Sequence, residues 1–67
     1  MDYTLEFVDA RTGKPLKGRP VGRTWYGITE EQMHWLAIGH CMALYTKYKH
    51  PEVRVYDTDG RIVNRIN

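Results

Sequence analysis

The stretch from Thr29 to Lys47 is the long helix around which the rest of this chain has to be arranged. Its start carries several independent marks. Thr29 followed by Gln32 fits a capping box, and Ile28 with Met33 fits the hydrophobic staple around it. Glu30 and Glu31 complement the positive end of the helix dipole. The end is readable too. Lys47 and Lys49 lie near the negative end, and His50 precedes Pro51, which pushes it out of the helical region.

This helix carries more apolar surface than one small sheet can cover. Met33, Leu36, Ala37, Cys41, Leu44 and Tyr48 have the spacing of a core face, and Trp35, Ile38, Met42 and Tyr45 form a second stripe beside it. At about 100° per residue the core stripe centres on Ala37, which sends Trp35, Gly39, Met42 and Thr46 to the far side. A water-facing side would not be expected to hold a Trp, a Met and a mid-helix glycine. The glycine costs about 1 kcal/mol relative to alanine unless it lets another backbone come close. In a chain of 67 residues, either a partner covers this side or the loop carrying Trp25 and Tyr26 folds back over it. The partner would be a foreign protein or a second copy. We prefer a partner, and Trp35, Ile38, Gly39, Met42, Tyr45 and Thr46 are then the expected binding residues.

The flanking segments read as strands. Tyr3, Leu5 and Phe7 alternate with Thr4 and Glu6, and the chain turns at Asp9 to Gly13. A short second strand is expected near Pro15 to Arg19, confined to an edge because the prolines cannot donate to a ladder, with Thr24 to Tyr26 also extended. Val53 to Asp57 and Arg61 to Ile66 form a hairpin about Asp57-Thr58-Asp59-Gly60. A type I turn with a glycine bulge would pair Val55 with Val63 and Tyr56 with Ile62. A two-residue Asp59-Gly60 turn would pair Tyr56 with Val63 instead. The first is preferred because it collects Val53, Val55 and Val63 on one face.

The expected fold is a single α+β domain over residues 1–67. One central helix packs on an antiparallel sheet of three or four strands in the order ββαββ, the second strand being the unsettled one. In its short length and its terminal VRVYDTDGRIV hairpin the chain resembles short α+β accessory proteins encoded by bacteriophages. That resemblance implies a small protein that binds and modulates, or inhibits, a host protein complex.

Charge offers a different reading. The net charge is only +2, but between Ala10 and Ile28 the charged residues are Arg11, Lys14, Lys17, Arg19 and Arg23, with no acid among them. With Trp25 and Tyr26 nearby, this loop has the ingredients of a phosphate-contacting surface with stacking residues. The competing reading is a solvated loop offset by Asp2, Glu6 and Asp9, or one that steers an acidic protein partner.

Catalytic and cofactor signatures are missing from the sequence. Gly18 to Thr24 has the wrong glycine spacing for a phosphate-binding loop, with arginine in place of its lysine and Pro20 interrupting the amides. His34 and His40 point about 120° apart on a helix and cannot share a metal ion within it. Cys41 sits in the core stripe with no base placed beside it, and Asp57 and Asp59 are turn residues. We therefore expect a non-enzyme with no metal and no cofactor. The lone cysteine, the lack of a leader-like start and an uncharged stretch too short to span a bilayer point to the cytoplasm.

Overall fold

The architecture follows from how β1, Tyr3–Asp9, presents its two faces and its two edges. The computed structural model describes residues 1–18 and 22–67. Tyr3, Leu5 and Phe7 enter the core on one face, as period-2 alternation requires. On one edge β1 pairs with β3, Pro51–Tyr56, and on the other with β2, Gly22–Trp25. The hairpin strand β4, Ile62–Ile66, completes a fully antiparallel sheet in the order β2-β1-β3-β4. With α1, Glu30–Leu44, packed on one face, this is the ββαββ α+β fold expected.

The helix start is built as its residues dictate. Gln32 N–H donates to Thr29 Oγ1 at 3.1 Å, and Thr29 N–H donates to Gln32 Oε1 at 3.0 Å. Met33, Ala37, Cys41 and Leu44 are buried against Leu5, Phe7, Val53 and Val55, while Leu36 and Tyr48 only border that core. The helix ends at Leu44, earlier than the sequence suggests. There the backbone tightens, as Thr46 N–H donates to the Ala43 carbonyl at 3.2 Å and Lys47 N–H to that of Leu44 at 3.0 Å. Thr46 Oγ1 also bonds the Ala43 carbonyl at 2.7 Å. The expected lysines therefore lie beyond the last helical turn rather than within it.

Among the described residues of 15–19 the expected second strand does not form. Pro15 makes only an isolated bridge to Val8, and Leu16 N–H donates to the Phe7 carbonyl at 3.2 Å while its side chain enters the core. Gly18, with φ +81, then turns the chain away. Pairing resumes at Gly22, which lies so close to β1 that a Cβ there would stand 2.9 Å from the Leu5 carbonyl oxygen. The expected extension of Thr24 and Trp25 belongs to this strand, whereas Tyr26 lies past its end. Arg19, Pro20 and Val21 fall outside the described residues.

The last hairpin has the type I turn and glycine bulge. Gly60 adopts φ +79, its N–H donates to the Asp57 carbonyl at 3.1 Å, and Asp57 N–H donates to the Arg61 carbonyl at 2.9 Å. Tyr56 pairs with Ile62, but Val55 pairs with Asn64 rather than Val63, so Val63 is an extra residue in β4. The shift puts Asn64 beside the helix, where Nδ2 donates to His34 Nδ1 at 2.8 Å, and sets Ile66 against the core. Val53 and Val55 are buried as expected, and Val63 is exposed.

On the other face of the sheet, Glu52 is only 5% exposed. Its Oε2 accepts from Arg54 Nε at 2.8 Å, Arg54 approaches Glu6 at 3.9 Å, and Tyr56 Oη donates to Glu6 at 2.7 Å. This network satisfies a charge that could not otherwise be buried. Among the described residues every buried side-chain nitrogen and oxygen has a partner.

Candidate functional site

The outer side of α1 is apolar and uncovered. Trp35 is 63% exposed, Met42 68% and Tyr45 50%, with Ile38 half-buried beside them and Gly39 and Thr46 exposed. These are the six residues expected to bind a partner, and the structure brings them onto one side of the helix. The alternative in which the chain's own loop covers this side does not occur among the described residues. Tyr26 is 77% exposed. Trp25 lies on the opposite flank of the helix, 5.5 Å from the His40 ring, which also sits 5.4 Å from Phe7.

Each residue reaches this surface for a local reason. The sheet takes the side of the helix centred on Ala37, so residues two before and five after it must point away. Tyr45, just past the last helical residue, is held down because its hydroxyl donates to the Asn67 carbonyl. At Gly39 the space where a side chain would begin is open, with no atom within 4 Å. The surface is thus a ridge with a notch at Gly39.

The basic residues do not converge in the same way. Arg11 is held at 3.6 Å from Asp9, and Arg11 N–H donates to Asp9 Oδ1 at 2.8 Å. That backbone hydrogen bond holds the Asp9 carboxyl below its ordinary pKa. Arg23 lies 4.8 Å over the Trp25 ring, so the stacking face expected for a base is occupied by the chain's own guanidinium. Lys14 and Lys17 are exposed, and Arg19 lies outside the described residues. Of the acids expected to offset this loop, Asp9 does so. Asp2 accepts instead from Gly27 N–H at 2.9 Å, and Glu6 is committed to Tyr56 and Arg54.

The sequence reading missed a cleft of about 330 Å³ between the start of α1 and β4, lined by Glu30, Glu31, Met33, His34, Val55, Val63 and Asn64. Val63, one of its lining residues, is the extra residue of the β4 bulge, which only the strand register reveals. Cys41, buried in the core and not part of the cleft, donates weakly to the Ile66 carbonyl at 3.5 Å. Burial raises its thiol pKa and the Glu52 charge raises it further, the opposite of an activated nucleophile. Among the described residues no group of His, Cys, Asp or Glu is arranged to hold a metal ion. No helix among them is long and apolar enough to cross a membrane.

Neither a scan against protein-family models nor searches of curated proteins and of solved structures found a match.

Proposed function

We propose that this protein is a non-enzymatic docking module that binds a protein partner through the outer side of α1. The observation that carries the reading is the joint exposure of Trp35, Met42 and Tyr45 beside an open notch at Gly39. Large aromatic and thioether side chains dominate interface cores, and leaving them in water forgoes the stabilisation that burial brings. In keeping with the likeness to phage accessory proteins, the module modulates a larger host assembly by occupying a surface of it in the cytoplasm. The basic loop contributes electrostatic steering rather than contact energy.

A photo-crosslinking amino acid placed at Met42 tests this, with the same group at Thr4, on the other face of the sheet, as the control. In lysate of the encoding organism, Met42 should give a discrete protein adduct, whether foreign or a second copy, and Thr4 should not. Equal labelling from both positions, or no adduct from Met42, overturns the proposal. So does nucleic acid captured from Tyr26 in preference to protein from Met42.

A further inference from the structure

We infer that the cleft between the start of α1 and β4 is a recognition pocket for a guanidinium group on an apolar stem, presented as an arginine side chain of a protein partner. None of the six residues on the outer side of α1 lines it, so it stands apart from the docking reading and needs no contact there. Met33 and Val55, both buried, close its floor, and Val63, 38% exposed, leaves an apolar wall in contact with water. At about 330 Å³ the cleft lies at the low end of ligand pockets and suits one long side chain rather than a larger molecule.

Charge selects the occupant. Of the lining residues only Glu30 and Glu31 are ionised, although the chain as a whole carries +2, and neither has an ion-pair partner among the described residues. Asn64 Oδ1 accepts from Arg65 N–H at 2.9 Å, which leaves Nδ2 to donate to His34 Nδ1 at 2.8 Å. A ring that accepts there is neutral, so His34 adds no positive charge to set against the two carboxylates. Its ring is also braced by Trp35, edge to face at 5.5 Å. Glu30 and Glu31 stand four and three residues before His34 and share its side of the helix. The helix dipole accounts for carboxylates in the first turn, but not for an open apolar wall beside them. A guanidinium answers the whole set. It gives paired hydrogen bonds to a carboxylate, lays its plane against the imidazole and rests its methylenes on Val63. An ammonium, a compact and strongly hydrated charge, gains less in such a place, and an anion is repelled.

Amide proton–nitrogen correlation NMR on the full chain tests the inference. The probes are n-butylguanidinium and acetyl-Gly-Arg-Gly-amide, with the same peptide carrying citrulline, the neutral isostere of arginine, as the control. Both guanidinium probes should shift the amides of Glu30, Glu31, His34, Val63 and Asn64 and saturate with a Kd on the order of 1 mM, the strength of one small group in one pocket. The citrulline peptide should bind about tenfold more weakly, and so should the arginine peptide to Glu30→Gln with Glu31→Gln. Val63→Arg, at an exposed strand position, places a guanidinium in the cleft from within and should abolish binding in a protein that melts like the parent. The glutamine pair keeps side-chain size and helix propensity, so it decides the matter even where Val63→Arg fails to fold. Shifts that never saturate or that scatter over the surface overturn the inference, as do equal shifts from the citrulline peptide or binding that survives the glutamine pair. Saturation by n-butylguanidinium without binding of the peptide overturns the protein partner as the source of the group.

Discussion

Replacing Arg54 with methionine should be among the most damaging single changes to this fold. Glu52 is 5% exposed and its carboxylate is held by Arg54 Nε at 2.8 Å, with Glu6 approached by the same guanidinium at 3.9 Å. Removing one partner of a fully buried pair costs about 3–5 kcal/mol, because the remaining charge is left without compensation. The Arg54 side chain is 22% exposed, so water can reach the vacated side in part, and a loss of about 2–3 kcal/mol is expected. A domain of this length has roughly 3–10 kcal/mol in total, and such a loss lowers the melting temperature by roughly 10–20 °C. Replacing both partners, Arg54→Met with Glu52→Leu, removes the orphaned charge and should restore most of the stability. Urea unfolding followed by circular dichroism over the full double-mutant cycle measures this. A double variant no more stable than Arg54→Met alone would refute the argument that the pair exists to neutralise a buried Glu52.

Leu44→Ala should cost about 2–5 kcal/mol, since Leu44 is buried at the core-facing end of the helix, and a thermal melt matching the parent would mean that this face is misassigned. Stability should also decline at alkaline pH. The hydrogen bond to Glu6 raises the Tyr56 phenol and burial raises the Cys41 thiol, so both groups hold their protons more tightly folded than unfolded. Their contribution is complete below the unfolded values of about 8.5 for the thiol and about 10 for the phenol, and is lost as pH rises through the higher folded values. Melts from pH 7 to 11 should fall less steeply for Cys41→Ala and Tyr56→Phe, and unchanged profiles would remove these groups from the account. Mobility shifts with single- and double-stranded DNA and with RNA should show no saturable binding below about 1 μM at physiological salt. The pairing of Arg11 with Asp9 and the Arg23 cover over Trp25 are the reasons.

What was legible in the sequence was local. The capping box at Thr29 and Gln32, the alternation of Tyr3, Leu5 and Phe7, and the turn ending at Gly60 each depend on residues a few positions apart, and each has the expected geometry. The outer helix surface was legible because the helical period assigns sides without reference to the rest of the chain. Long-range placement was not. β2 begins where Gly22 can approach the Leu5 carbonyl, a contact between strands that no property of residues 15–22 announces. The hairpin register shifted because Asn64 and Ile66 answer to His34 and the core on α1, which a turn rule cannot see. Nor was the cleft that α1 and β4 line together legible, since its residues come from distant parts of the chain.

The central claim, that the exposed side of α1 is a docking surface, meets its most direct test in Met42→Glu. Met42 is 68% exposed, so a charge there should change stability by no more than about 0.5 kcal/mol, which circular dichroism melts would register as a folded protein. A charge without a counter-ion in a desolvated contact costs several kcal/mol, enough to shift affinity by orders of magnitude. Light scattering and the adduct yield from a crosslinker at Trp35 should therefore show association abolished in a protein that melts like the parent. An unfolded variant, or a folded one whose association and crosslinking are unchanged, would contradict the account.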